Sequence, residues 1–456
     1  MILHNTYRWL DKNRGRIRTA IGMAWPSVLE SFFVALAGMV DTMMVSSIGA
    51  YAVAAVGLTT QPKFIGLALF IATNVSVSAL VARRKGEMDA YGANETLLTA
   101  LVFTAIAGTV VSAVCVYLAD PIIRLCGSGA DTHEGAVLYF RIIMGGMMFN
   151  IISLVINAAQ RGSGNTRIAM TTNVTSNLLN IVGNYLLIGG HFGFPALGIK
   201  GAAIATVFGT VVACVMSIAS LLRRDSFVNI KTMVRDKVRL SLRPVKAIAK
   251  LSSSVFLEQL LMRAGFMSTA VMTAKLGTEA FAAHQAAMNI LSISFSFGDG
   301  MQVAAVALIG RSLGERRPQL ARLYGQICQR IGNVISLAVS VFFLLCGRFL
   351  YRIYFDEPHI VDMGVTLVRV IVLIVIVQIA QVIYMGCLRG AGDVIFTTIA
   401  STVSVTIIRT AVSYGMCYVA GLGLMGIWLG ILADQISRFL FTNWRFKSGK
   451  WTKIRI

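Results

Sequence analysis

Four residues of this chain could together hold a small cation: Asp41, Asn180, Asn184 and Thr206. Asp41 supplies a charge, the asparagines neutral carbonyl oxygens and the threonine a hydroxyl. Oxygen donors of this kind suit a hard cation such as Na⁺. An aspartate withdrawn from water among them is equally a proton site, so residue type does not separate H⁺ from Na⁺. The asparagines belong to a series, Asn173, Asn177, Asn180 and Asn184, spaced by four, three and four residues, which one helix would present as a single polar stripe. Such a stripe also reads as an interhelical hydrogen-bond seam, and spacing alone leaves both readings open.

Glu30, Glu258 and Asp299 form a second set of candidates. Glu30 precedes Asp41 by eleven residues, three helical turns plus roughly 20°, so the two acids share a helix face. Pro26 lacks an N–H and should bend that helix just before Glu30, which makes it a hinge candidate, although static prolines are common in membrane helices. Asp299, in FSFGDGMQ, is expected to be a buried acid whose flanking glycines unwind their helix. Catalysis finds no matching constellation: HExxH and GxSxG are absent, and neither RGSG nor RGAG is followed by GKS or GKT. The seven cysteines are scattered without metal-ligand spacing, and no cofactor is implied beyond H⁺ or Na⁺ as coupling ion.

The elements that must position these residues are membrane helices. With 456 residues, 56% hydrophobic and 13% charged, the chain has the composition of a polytopic all-α membrane protein. Apolar spans read as Ala20 to Ile48, Ala52 to Val81, Thr96 to Ala119, Ala136 to Ala159, Ile168 to Ile188, Leu197 to Leu222, Ala247 to Ala274, Ala280 to Gly310, Tyr324 to Cys346, Val365 to Cys387, Ile395 to Val419 and Leu424 to Phe441, which makes twelve. The net charge of +21 would suggest nucleic acid if it sat on one soluble domain. Instead most Lys and Arg fall in loops on the side of the N-terminus, while the opposite loops hold Arg124, Lys200, Lys275, Arg348 and Arg352. The positive-inside rule then puts both termini in the cytoplasm and excludes a nucleic-acid face. The N-terminal apolar run is too long for a signal peptide and is read as an uncleaved first helix.

One offset recurs along the chain. Glu30 and Glu258, Gly49 and Gly277, GAYAVAA and GTEAFAA, and QRGSG and LRGAG are each 228 positions apart. Six helices per copy gives two parallel pseudo-symmetric lobes, an arrangement known in transporters. The expected division is residues 1–222 as the N-lobe, 223–246 as a basic cytoplasmic linker and 247–456 as the C-lobe. Glu30 and Glu258 recur, so a shared scaffold role competes with coupling. Arg263, about 140° around the helix from Glu258, is a poor partner for it. Asp41 maps to Thr269, and the Asn180 to Asn184 segment to Ile408 through Val412, so only the N-lobe pairs a carboxylate with asparagines.

VDTMMVSSIGAYAVAAVG, QRGSGNTR, NIVGNYLLIGG, GIKGAAIAT, AKLGTEAFAAHQ, LRGAGD and RFKSGKW, in this order over nearly the whole chain, resemble the multidrug and toxic compound extrusion (MATE) family. The resemblance implies a V-shaped pair of six-helix lobes that exports organic cations or other amphiphiles by alternating access, driven by inward H⁺ or Na⁺. It places the family's N-lobe cation site on Asp41, Asn180, Asn184 and Thr206, with asparagine at 184 as in the NorM-like branch. It matches the C-lobe glutamate to Glu258 and finds Gln378 where NorM-like members often carry an aspartate. A C-lobe Na⁺ site is thereby in doubt.

A flippase for lipids or lipid-linked saccharides shares the architecture but would want a cationic cavity, which Arg141, Arg263, Arg369 and Arg409 keep open. A membrane enzyme lacks its motif, and a channel lacks a ring of repeated filter residues. The expected partners are a small amphiphilic or cationic substrate and the bilayer. A monomer in a prokaryotic inner membrane is the expected setting.

Overall fold

The computed structural model describes residues 2–126, 128–129, 132–223, 226–240, 242–352 and 357–454. Among them the regular structure is helical, without strands. In order, the helices are α1 (Ile2–Ser46), α2 (Ala50–Gly86), α3 (Ala90–Tyr117), α4 (Ala119–Leu125), α5 (His133–Gly145), α6 (Met147–Gly162), α7 (Thr166–Gly189), α8 (Gly198–Ser220), α9 (Ile230–Arg235), α10 (Leu242–Ala274), α11 (Thr278–Gly314), α12 (Pro318–Arg352), α13 (Pro358–Gly390), α14 (Val394–Thr402), α15 (Arg409–Tyr414) and α16 (Gly423–Ser448).

Helices alone satisfy every backbone polar group without water, which is why an apolar chain of this length takes this form. Nine described helices or continuous helical runs are long and apolar enough to cross a bilayer. α5 and α6, bent by 46° at Gly146, make a tenth passage. α7 and α10 are equally long but more polar, α7 because of its asparagines, and they complete the expected twelve. The eleventh span is α14 and α15 joined by a π-helical segment, Val403–Ile408, with a second such segment, Gly415–Val419, after α15. Arg409 thus sits between two π turns, which often mark functional positions.

The 228-residue repeat is visible in geometry. A Cβ on Gly162 would lie 2.4 Å from the Ser78 carbonyl oxygen, and one on Gly390 would lie 2.6 Å from that of Val306, so α6 meets α2 as α13 meets α11. Only glycine permits that approach. Met88 and Arg316, also 228 apart, both turn with a φ of 57°.

Two compact units are present: Phe32–Phe256, and Met1–Ser31 with Leu257–Ile456. The dividing points fall inside α1 and α10, beside the repeat-related acids Glu30 and Glu258, whereas the sequence halves meet at 223–246. In the first unit, α2, α3, α5, α6 and α8 surround a core that includes Phe70, Phe140, Met144 and Ile151. In the second, α11, α12, α13 and α16 pack around Ile290, Phe343, Ile371 and Trp428. The described part of 223–246 is docked on the first unit: Asn94 Nδ2 donates to the Phe227 carbonyl at 3.3 Å, and Asn94 Oδ1 accepts the Asn229 N–H at 3.0 Å.

Candidate coupling-ion site

Asp41 lies near the end of α1, where the chain turns at Gly49 into α2. α7 and α8 pack side by side and bring their polar faces to it. The small residues of α8, Gly201, Ala202, Ala203 and Ala205, allow the approach, and a Cβ on Gly183 of α7 would lie 2.9 Å from that of Ala205. Asn184 Nδ2 donates to Asp41 Oδ1 at 2.7 Å. Set with its NH₂ toward the carboxylate, as the hydrogen-bond network requires, the Asn180 amide donates to Asp41 Oδ1 at 2.8 Å and Oδ2 at 3.0 Å, and its oxygen accepts from Thr206 Oγ1 at 3.1 Å. Asp41, Asn180, Asn184 and Thr206, expected together from residue chemistry, are therefore one cluster.

The cluster opens on a cavity of about 170 Å³ lined by Asp41, Thr42 and Val45 of α1, Val53, Val56, Gly57 and Thr60 of α2, Tyr139 of α5, Asn184 of α7, and Ala202 and Thr206 of α8. Asn184 Oδ1 is buried beside the carboxylate and has no hydrogen-bond partner. An orphaned carbonyl oxygen next to an acid is what an incoming cation or a protonated carboxyl would satisfy. The stripe divides in burial: Asn180 and Asn184 are buried, whereas Asn177 is only partly so. Two further residues belong to the site. Tyr139 is buried on α5 and hydrogen-bonds Thr206. Lys63 of α2 lies where its charge interacts with that of Asp41. Lys63 had a signal in the sequence, a base inside an apolar span; Tyr139 had none.

The other candidates lie in the second unit. Glu258 is buried and accepts from Arg389 Nη2 at 2.7 Å, so its partner is the arginine of the LRGAG turn. Gln378 is buried and accepts from Ser294 Oγ at 2.9 Å, a neutral contact where a carboxylate would need a cation. Glu30 is buried within the segment ending at Ser31, and Pro26 lies inside the continuous α1. At Asp299 the expected unwinding is absent: α11 runs unbroken through both flanking glycines, and the side chain keeps solvent-accessible surface. The reason is local. Gly300 is needed for close packing, since a Cβ there would lie 2.5 Å from the Val28 backbone nitrogen.

Sequence reasoning also missed Asp434. It is fully buried on α16 and accepts from Arg409 Nε at 3.1 Å and Nη2 at 2.5 Å, and from Arg438 Nη2 at 3.0 Å. Opposite charges in adjacent spans were the available signal. Arg409 is thereby committed to an ion pair and does not offer a free cation to a phosphate. Among the described residues no group of three His, Cys, Asp or Glu could hold a metal ion.

The model of the MatE family matches this chain twice, over residues 26–186 and 255–415, one match in each repeat. The chain belongs to the MatE family. It is similar to the probable multidrug resistance protein NorM of Thermotoga maritima, 29% identical over 95% of this chain and 92% of that one. It also resembles the uncharacterized transporter YisQ of Bacillus subtilis, 23% identical over 97% and 96%. Among solved structures, an outward-facing multidrug resistance MATE family transporter of the MOP superfamily superposes with a TM-score of 0.88 at 24% identity, covering 95% of this chain and 96% of that one. This MatE chain is accordingly an integral membrane transporter of the multidrug efflux class and not an enzyme. The first match contains Asp41, Asn180 and Asn184, and the second contains Glu258, Asp299 and Gln378.

Proposed function

We propose that the chain exports organic cations or other amphiphiles in exchange for H⁺ or Na⁺, and that Asp41 is the group the coupling ion binds. One observation carries this reading: a carboxylate held by neutral amides, with an orphaned carbonyl oxygen beside it, on the wall of a cavity. An acid paired to arginine has no need of an ion; Asp41 has only N–H donors in direct contact.

The amides make the site reversible. Each can present either end, NH₂ to an ionised carboxylate or oxygen to a protonated carboxyl or a Na⁺. In the arrangement described here the NH₂ ends face Asp41, which suits an ionised carboxylate. Binding of H⁺ or Na⁺ removes the reason for that orientation, and rotation of Asn180 and Asn184 supplies oxygen to the new charge or to the new O–H. Thr206 can accept or donate through its hydroxyl, so it follows Asn180 in either state. The change reaches α1 directly because Asp41 is part of it. Pro26, which interrupts the backbone bonding of α1, is the proposed hinge. Each charge driven inward across about 100 mV supplies roughly 2.3 kcal/mol for expelling substrate.

Both termini are proposed to be cytoplasmic, in a prokaryotic inner membrane, with the monomer as the working unit. The test is ethidium transport by proteoliposomes under an imposed pH gradient or Na⁺ gradient. Asp41→Asn is expected to abolish gradient-driven transport; full gradient-driven transport by that variant would refute the assignment.

A further inference from the structure

Asp120, Ser128 and His133 form a titratable cluster that the coupling scheme does not use. His133 Nε2 lies 2.9 Å from Asp120 Oδ1, and its Nδ1 lies 2.7 Å from Ser128 Oγ. Arg124, one turn along α4 from Asp120, approaches the other carboxylate oxygen, Oδ2, at 2.8 Å. The hydrogen bond from His133, together with the charge of Arg124, holds the Asp120 carboxyl below the usual carboxylate range. Asp120 is therefore ionised near neutrality and accepts, so Nε2 carries a hydrogen whatever the charge of the ring. In the neutral ring Nδ1 accepts the Ser128 O–H; in the imidazolium Nδ1–H donates to Ser128 Oγ. Both hydrogen bonds survive in either state, and protonation adds a positive charge opposite Asp120.

The cluster sits at a junction of the first unit. Asp120 and Arg124 belong to α4, and His133 opens α5. The Gly129 carbonyl, next to Ser128, accepts the N–H groups of Thr132 at 3.2 Å and His133 at 3.0 Å. His133 thus ties the first turn of α5 to α4 on one side and to Ser128 on the other. Just beyond, α5 is wedged: a Cβ on Gly135 would lie 3.0 Å from Ile199 Cδ1 of α8 and 3.7 Å from Ala55 Cβ of α2. Six residues after His133 the same helix carries Tyr139 to the cavity wall. α3 is the third span, so this junction lies on the face opposite the N-terminus, the outer face in the orientation proposed above. Asp120 and His133 keep solvent-accessible surface, so protons of the outer medium reach the ring. The other titratable groups at this end of the neighbouring elements are Cys126, Glu134 beside His133, Tyr117 of α3, Tyr51 of α2 and Lys200 of α8. Among side chains of these types histidine is the one that ordinarily changes charge between about pH 5 and about pH 8.

We infer that Asp120, Ser128 and His133 form a proton-operated fastening of the outer end of α5, tight in acid, when an imidazolium faces the carboxylate, and looser in alkali, when the ring is neutral. The sign follows from bond strength: a hydrogen bond with charge on both partners is stronger than one from a neutral donor. The fastening meets the same outer protons as the exchange proposed at Asp41, but through different residues. It gives transport a dependence on outer pH of its own, because the helix it holds forms part of the cavity wall.

The test is amide hydrogen exchange of the full-length protein in detergent, read on the peptide from Thr132 to Ala136 and corrected for intrinsic exchange. Wild type is expected to lose roughly tenfold in protection from about pH 5 to about pH 8, while His133→Gln is equally protected at both ends. Ser128→Ala keeps the charge pair and should keep the pH dependence; Asp120→Asn should lose it. Ethidium transport by proteoliposomes gives the second readout. The ratio of wild-type to His133→Gln rates should change a fewfold with outer pH, since the contribution of Asp41 is common to both and cancels. Equal pH dependence of protection in wild type and His133→Gln overturns the fastening, and a constant rate ratio overturns its link to transport. Should His133→Gln fail to fold, Asp120→Asn replaces it in both readouts. Full gradient-driven transport by Asp41→Asn would refute the coupling site and leave the hydrogen-exchange result standing.

Discussion

In the segment Leu257–Ile456 the buried carboxylates Glu258, Asp393 and Asp434 each meet an arginine, at 2.7 Å from Arg389, 2.6 Å from Arg445 and 2.5 Å from Arg409. In Phe32–Phe256, Asp41 meets two amides instead, with Lys63 standing off. The two halves share a repeat, so the difference lies in what each lobe does with an acid. An arginine within hydrogen-bond distance neutralises a carboxylate permanently. Amides stabilise the charge yet can be turned to serve its neutral or ion-bound form. On this comparison we propose that Glu258, Asp393 and Asp434 serve the structure and that Asp41 exchanges the ion.

The strongest way to break this division is Asp434→Asn, which leaves Arg409 and Arg438 without a counter-charge. Loss of one partner from a buried ionic cluster is expected to cost about 3–5 kcal/mol, read from unfolding in detergent; an unshifted transition would mean the cluster does not hold the fold. Glu258→Gln should be milder, about 2 kcal/mol, because Arg389 keeps a neutral acceptor. The variant should keep the wild-type dependence on the coupling cation, and a changed dependence would move Glu258 into the exchange machinery.

Asn184→Leu sharpens the comparison and identifies the ion. It removes both a donor to ionised Asp41 and an oxygen for a bound cation. The half-saturating concentration should shift roughly tenfold, upward for Na⁺, which loses a ligand, and downward for H⁺, because ionised Asp41 loses a hydrogen bond. An unchanged curve would remove Asn184 from the site. The smallest effect is expected for Tyr139→Phe, which deletes one hydrogen bond to Thr206. About 1 kcal/mol, a fewfold change in the same concentration, should result, and a complete loss of coupling would give Tyr139 a larger part than positioning.

Much of this was legible in the sequence because apolar spans and a fixed repeat offset both leave direct traces. Glu30 and Glu258 announced the repeat, and Gly162 and Gly390 carried it into close packing. Asp41, Asn180, Asn184 and Thr206 could be grouped because oxygen chemistry and helical spacing both survive in one dimension. Tyr139 could not, since a tyrosine among apolar residues looks the same whether its hydroxyl meets a site or a backbone carbonyl. The unwinding expected at Asp299 was misread because Gly300 signals flexibility in sequence but close packing in space. Lys63 and Asp434 were visible as charges in spans, but only the fold shows that one stands off an acid and the other binds two arginines.

The most direct test of Asp41 as the exchange residue is release of the coupling ion from purified protein in detergent when ethidium is added. Release is followed by a pH indicator for H⁺ and by ²²Na⁺ for Na⁺. Wild-type protein and Glu258→Gln should release ion, and Asp41→Asn should release none. Release from Asp41→Asn equal to wild type, or loss of release in a folded Glu258→Gln, would contradict the division between the lobes.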